Sequence, residues 1–325
     1  MRGIREKILP PGGHSFRLLK WDRSLGEVET IISPQQSVRV AGAGNRWHFH
    51  TEMELTLFLR GQGTRFVGDH IGPFAPGDLV LLGERLPHYW HTNGVTSGLS
   101  IQFHFPMDHP FWGFPENLST AELFQRSGHG MAISGKTAQV ISQLMQELPK
   151  NTGAAQLGIL LIILARLVAA PQPDLKLLSG GAFNLPNESP HQEIIAKAVR
   201  HLIANFREEV RLEDLLKLTR MSRPTFARQF KKHSGHSYSS FLNKLRLQAA
   251  CRELEKSERG ILDISLACGF PHVSFFNRLF RREMKCNPTE FRLRVRSSDK
   301  PAPSKKSTAP QAEPDPSIRS LFPPA

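Results

Sequence analysis

Leu212-Glu-Asp-Leu215 and Phe226-Ala-Arg-Gln-Phe-Lys231 recur further along the chain as Ile261-Leu-Asp-Ile264 and Phe276-Asn-Arg-Leu-Phe-Arg281, at offsets of 49 and 50 residues. Each copy reads as a short amphipathic helix, a tight turn and a second helix with aromatic residues at i and i+4. That spacing puts Phe226 with Phe230, and Phe276 with Phe280, on buried faces. It leaves Arg223, Pro224, Ala227, Arg228 and Lys231 facing away in the first copy. In the second, Val273, Ser274, Asn277, Arg278 and Arg281 face away. One bracing helix and a second with an open face is the arrangement of a helix-turn-helix, whose second helix enters the DNA major groove. Ser222 is placed to cap the first recognition helix, with Pro224 in its opening turn. Gly269 supplies the turn of the second copy, where a positive φ is expected. Between the copies, Ser239 to Glu255 reads as one long helix with Phe241, Leu242, Leu245, Ala249 and Leu254 along one side.

The charge follows the repeat. The 325 residues carry a net +13, and residues 191–296 alone hold 22 Lys and Arg against 11 Asp and Glu. Such concentration expects a polyanion partner for that segment. Other classes recede. Leu157 to Ala169 is too short for a membrane span and carries Arg166. Met1 to Pro10 lacks the apolar block of a secretory signal. Cys251, Cys268 and Cys286 match neither a disulfide framework nor a zinc finger, so a reducing cytoplasm is expected.

Upstream, Thr30 to Phe105 alternates short apolar runs with glycine and proline, as in Glu54-Leu-Thr-Leu-Phe-Leu59 and Asp78-Leu-Val-Leu-Leu82. Strands of this length predict an antiparallel barrel or jelly roll. After Pro115 the period becomes helical over Ser119–Arg126, Lys136–Leu148 and Ala154–Ala170. The third helix is apolar nearly all round and must be buried, under the barrel or against a second subunit. Pro171 to Pro190 reads as a linker, and the proline-rich residues 297–325 as a disordered tail.

Within the strand region, alternation places His48 and His50 of His48-Phe-His50-Thr-Glu-Met-Glu54 on one face, and Glu54 joins them if the strand runs on. With His88, these residues could hold a divalent metal. They could equally line a metal-free effector pocket, or be satisfied interior groups. Trp90 and His104 lie close by as further effector-binding candidates. Trp47 and Trp90 flank the histidines and could stack on a sugar ring.

Two resemblances follow. Ile261 to Arg292, with Gly269-Phe270, Ser274-Phe275-Phe276, Arg278, Phe280-Arg281-Arg282 and Pro288-Thr-Glu-Phe-Arg292, closely resembles the signature of the AraC/XylS family of transcription regulators. With the first unit and the long helix, it covers about 105 residues. It implies double-stranded DNA as partner, a homodimer, and RNA polymerase as a further partner. It carries DNA contacts onto Ser222, Arg223, Pro224, Thr225, Ala227, Arg228, Lys231 and Lys232 in unit one. In unit two they fall on His272, Val273, Ser274, Asn277, Arg278, Arg281 and Arg282. Pro224 and Ala227 offer no hydrogen bonds, so unit two is expected to read bases more sharply. Lys285 stands where the family usually has glycine, and Pro271 where a capping serine is usual.

The spacing Gly42, His48, His50, Glu54, Gly61 resembles the first cupin motif. Gly77-Asp78 and His88 match part of the second, with Gly83 and Arg85 replacing its proline and glycine. The expected fold is therefore α+β in two domains. Residues 1–117 form a cupin-like effector-sensing barrel, 118–170 helices that pack on it or dimerise, 171–190 a linker, and 191–296 an all-α domain of two helix-turn-helix units. The resemblances imply a regulator answering a small-molecule effector, with a carbohydrate favoured. The alternative is a metal-dependent cupin enzyme with an appended DNA-binding module.

Overall fold

A computed structural model describes residues 14–92, 94–181, 183 and 191–298. The expected tail beyond residue 298, the linker residues 184–190 and the first thirteen residues lie outside the described residues.

Nine strands come first: β1 (Phe16–Ser24), β2 (Glu27–Ser33), β3 (Gln36–Ala41), β4 (Met53–Arg60), β5 (Gly63–Val67), β6 (His70–Phe74), β7 (Leu79–Leu82), β8 (His88–Thr92) and β9 (Ser97–Phe103). Helices α1 (Thr120–Ser127), α2 (Gly135–Glu147) and α3 (Gly153–Val168) follow, interleaved with short strands β10 (Met131–Ile133) and β11 (Leu175–Leu177). The strands make one sheet in the order β11-β10-β7-β4-β9-β1-β2-β3 and another in the order β6-β5-β8.

Of the expected barrel or jelly roll, the described residues show two separate sheets and no closed barrel. An isolated bridge pairs His48, in the segment before β4, with His88 of β8. Apolar side chains from both sheets, such as Leu19, Phe58, Val80, Phe74 and Trp90, pack between the sheets. The linker expectation also changes, because Leu175–Leu177 inside it pairs with β10 at the sheet edge.

Period-two alternation accounts for the layers. Leu55 and Leu57 of β4, Leu79 and Leu81 of β7, and Leu99 and Ile101 of β9 share a core with Ile159, Leu160, Ile163 and Leu164 of α3. The intervening residues face the second sheet. Phe58, Val80 and Leu82 among them are apolar, whereas Glu54, Thr56, Ser100 and Gln102 form a buried polar patch on that inner face. Of the two placements expected for α3, its buried face takes the one beneath the sheet. Its other face leaves Leu161, Ile162 and Val168 partly exposed.

The C-terminal part is helical: α4 (Gln192–Asn205), α5 (Leu212–Thr219), α6 (Arg223–Ser234), α7 (Tyr238–Lys256), α8 (Ile261–Ala267), α9 (Val273–Met284) and α10 (Pro288–Ser298). The two helix-turn-helix units are α5–α6 and α8–α9. Left-handed residues punctuate both, but in opposite assignments. The inter-helix turn uses Arg220 in unit one and Gly269 in unit two, while the second helix ends on Gly235 in unit one and Lys285 in unit two. Each unit therefore carries one non-glycine residue in a conformation that glycine tolerates more readily. Arg246 of α7 is buried and braces the α4–α5 connection, donating through Nε to the Phe206 carbonyl (2.7 Å) and through Nη2 to that of Glu208 (2.8 Å).

The two parts share a core. Trp47, Phe66, Ile71 and Tyr89 from the strands cluster with Phe226, Phe230 and Phe241. The Phe66 and Phe241 rings stack at 5.9 Å, and the His236 side chain hydrogen-bonds the Asp69 carbonyl through Nε2 (2.7 Å).

Candidate effector pocket and nucleic-acid interface

His48, His50 and His88 converge, with ring nitrogens within 4.8 Å of one another, and all three are buried. His48 and His50 precede β4 in the bridged segment, so they reach Glu54 by convergence and not along one regular strand. Each histidine has its Nδ1 2.8 Å from a backbone carbonyl: Arg46 for His48, Glu52 for His50 and Leu86 for His88. A carbonyl accepts only, so each Nδ1 carries a proton, and in a neutral ring the lone pair then lies on Nε2. Burial, followed by the charges of His88 and His50, pushes His48 well below its ordinary pKa. Burial likewise pushes His88 down to about 4, so both imidazoles are neutral at pH 7. The His88 Nε2 is buried without a hydrogen-bond partner among the described residues.

Glu54 completes the cluster. Its Oε2 lies 3.1 Å from His50 Nε2 and accepts from Gln102 Nε2 at 2.8 Å, while Thr56 donates to Oε1 and sits 3.0 Å from Ser100 Oγ. Burial opposes its ionisation. The hydrogen bond with His50, and the His88 and His50 rings where these are protonated, outweigh that and hold the carboxyl below its usual range. A neutral His50 with its proton on Nδ1 would set a lone pair against this carboxylate. The contact requires either a second proton on His50 or a cation between the two groups. The three histidines alone have ring nitrogens close enough to share one divalent metal, while Glu54 falls outside that set and reaches it through His50.

Beside this cluster lies a cavity of about 30 Å³ bounded by His48, Glu54, Thr56, Ser100, Gln102, Trp90 and Trp21. That is room for about two waters. Two expected residues are elsewhere. Trp47 faces the opposite way, edge-on to Phe66 and Phe241 at 6.4 Å, because one residue along a strand reverses the face. His104 is half-exposed and pairs through Nδ1 with Glu84 (3.1 Å). Thr56, Ser100, Gln102 and Trp21 were not expected. Polar residues alternate with Leu55, Leu57, Leu99 and Ile101, but only the pairing of β9 with β4 brings Ser100 and Gln102 to Glu54 and Thr56.

On the helical side, Phe226, Phe230, Phe276 and Phe280 are fully buried, which turns the opposite faces of α6 and α9 to solvent. Ser222, Arg223, Pro224, Ala227, Arg228, Lys231 and Lys232 are exposed, with Thr225 half-buried. His272, Ser274, Asn277, Arg278, Arg281 and Arg282 are likewise exposed, with Val273 half-buried. Ser222 occupies the N-cap position, but its hydroxyl donates to Thr225 Oγ1 (3.0 Å) and makes no side-chain cap bond. The α9 cap falls on His272 and not on Pro271. Arg278 rests its guanidinium 5.7 Å from the Phe275 ring centre.

Comparison with known proteins bears on both halves. A family described as "Helix-turn-helix domain" matches residues 215–294. The HTH-type transcriptional activator RhaS of Enterobacter sp. (strain 638) is 38% identical over 252 residues, covering 75% of this chain and 86% of RhaS. Regulatory protein PocR of Salmonella typhimurium is 28% identical over 113 residues, 35% of this chain, and the chain spans only 37% of PocR's length. The DNA-binding domain of AdpA, solved with a target DNA, is 29% identical and covers 34% of this chain and 97% of that one, with a TM-score of 0.30. No helix among the described residues is long and apolar enough to cross a membrane. Two helix-turn-helix units on a basic segment, and 38% identity to RhaS along three quarters of the chain, place this DNA-binding transcription regulator in the AraC/XylS family.

Proposed function

We propose that this regulator is switched by a small polar effector, a carbohydrate being the best chemical match, bound between the two sheets of a cupin-like sensor. The observation that carries the reading is the alternation of side chains around His48 and His88. His48 and Trp90 line the pocket and His88 packs its ring on His48 behind it, while their neighbours Trp47 and Tyr89 share a core with Phe241 of α7. Trp21 and Trp90 offer ring faces, and Glu54, Thr56, Ser100 and Gln102 offer hydrogen bonds. That combination suits a polyhydroxylated ring. At about 30 Å³ the cavity holds no sugar as it stands. Entry has to displace Trp90 or His48, and each is adjacent in sequence to a residue of the interdomain core. An effector that binds the displaced arrangement more tightly would shift the population towards it.

His50→Ala and Glu54→Gln are expected to abolish the effector response in a reporter assay while DNA affinity is unchanged. Wild-type response in both variants would place the effector elsewhere. One divalent ion per chain by elemental analysis, lost in His50→Ala, would assign the three histidines to metal ligation. The partly exposed Leu161, Ile162 and Val168 on α3 support a second copy of the chain as partner. A regulator is favoured over a metal-dependent enzyme because its relatives are transcriptional activators.

On the DNA side, Pro224, Ala227 and Arg228 would read from unit one, and Ser274, Asn277 and Arg278 from unit two. Arg278→Ala and Arg228→Ala should relax specificity at positions about 10 base pairs apart, each by about 1–3 kcal/mol. Lys231→Ala should weaken binding evenly across sequences. Identical footprints for Arg278→Ala and Lys231→Ala would remove Arg278 from the base readers. Six to ten phosphate contacts predict that log affinity falls with log salt at a slope between about −5 and −9. A slope near zero would contradict the basic interface.

A further inference from the structure

A cleft of about 300 Å³ opens where β8 meets the helical part, well apart in composition from the histidine pocket. His91 of β8 forms one wall, Phe206 and Arg207 at the end of α4 another. The third wall is one face of α7, where Ala249, Arg252, Glu253 and Lys256 fall at helical spacing. Three of these residues are permanent cations and one is a carboxylate. Glu253 is partly engaged elsewhere, 3.8 Å from Arg259 Nη1. The Arg207 guanidinium lies over the Phe206 ring and donates to the Ala267 carbonyl (3.2 Å).

Arg252 is the exception. Its Nη1 is buried and has no hydrogen-bond partner among the described residues. Burial, and then the charge of Arg207, work against its ionisation. Burial and Arg252 likewise depress the pKa of His91 and keep that ring neutral, and its Nδ1 is 3.0 Å from the Tyr89 hydroxyl. A buried guanidinium N–H without an acceptor is costly, and an anionic oxygen is the group that relieves it.

We propose that this cleft is a second ligand site, for a small carboxylate or phosphate compound of two or more negative charges, bound between the sensor sheet and α7. Arg252 receives the anion with its planar donor pair, Lys256 and Arg207 add charge, and Phe206 and Ala249 form an apolar floor. The volume is at the lower end of the about 300–1,000 Å³ seen for small-molecule pockets. Tyr89, hydrogen-bonded to His91, belongs to the interdomain core with Phe241, so an anion here ties the sensor to α7 in the docked arrangement. The two sites then act on one interface from different sides.

The test uses the full chain, with citrate and inorganic phosphate as probes at up to about 5 mM, against sodium chloride at matched ionic strength. Wild-type protein is expected to show saturable binding by calorimetry and a rise in Tm that sodium chloride does not reproduce. Citrate binding more tightly than phosphate would mark a carboxylate site, and the reverse a phosphate site. Arg252→Gln should weaken the better probe at least tenfold, and the exposed Lys256→Gln should weaken it several-fold. Glu253→Gln should tighten it by removing the carboxylate of the lining, and His50→Ala should leave it unchanged. The proposal is overturned if sodium chloride gives the same stabilisation, or if Arg252→Gln and Lys256→Gln bind both probes as wild type does. It is also overturned if those variants lower the salt slope of DNA binding while probe binding persists, because the cations would then face DNA phosphates.

Discussion

Leu160→Asp is expected to leave no soluble, folded sensor half. Leu160 is fully buried in α3, among Leu55, Leu57, Leu81 and Ile101 from the sheet above it. Removing a buried leucine side chain alone costs about 2–5 kcal/mol. An isolated carboxylate in that apolar setting adds several more, or forces the aspartate to remain protonated. The sum approaches the whole stability of about 5–15 kcal/mol that a domain has to lose. Expression should give inclusion bodies, or a protein whose sensor half is cleaved by protease at low dose. Leu161→Asp, one residue along on the exposed face of the same helix, is the control. It should fold with little change in Tm and alter only the mass measured by light scattering, if that face joins two copies. A soluble Leu160→Asp protein with wild-type Tm would show that α3 does not pack beneath the sheet.

The helical half was legible because both of its signals are local. The i, i+4 phenylalanines sit four residues apart on one helix, and two copies confirm each other. Tyr238–Lys256 extends the expected long helix by one residue at each end. The N-cap of α9 falls on His272, one residue beyond Pro271. In the strand half, the motif histidines and Glu54 were found from spacing, and the structure brings them together with His88. What escaped was non-local. No spacing rule says that β6-β5-β8 forms its own sheet, since that depends on which strand edges meet across tens of residues. Beside His48, Trp47 could be either a stacking face for a sugar or an ordinary packing residue, and it packs. Its true partner, Phe241, lies 194 positions away, and only the docking of two domains could reveal it. Likewise Gln102 and Ser100 look like ordinary strand residues until β9 is placed beside β4, which puts them opposite Glu54 and Thr56.

That docking is where the second large effect is expected. Phe241→Ala should destabilise the helical half by about 3–5 kcal/mol, since it empties a fully buried ring site. The Phe241 ring touches both domains: it is edge-on to Phe230 at 5.7 Å, stacked on Phe66 at 5.9 Å and edge-on to Trp47 at 6.4 Å. Loss of Phe241 thus weakens the first helix-turn-helix unit and its seat on the sensor together, and a fall in Tm alone cannot say which. Trp47→Ala separates them, because Trp47 lies on the strand side and its ring packs on Phe66 and Phe241 at the edge of the shared core. It should leave DNA affinity unchanged and abolish the dependence of that affinity on effector. Aromatic pairs are worth about 0.5–1.5 kcal/mol beyond the area they bury, so a double-mutant cycle between Trp47 and Phe241 should show coupling of that size. Fluorescence gives an independent reading. Trp47 is only 3% exposed, so undocking the domains in Phe241→Ala should move its emission to the red, and Trp47→Phe should remove that component from the spectrum. If Trp47→Ala keeps a full effector response, the signal does not pass through this ring. The contact between His236 and the Asp69 carbonyl would then be the next route to sever, with His236→Ala.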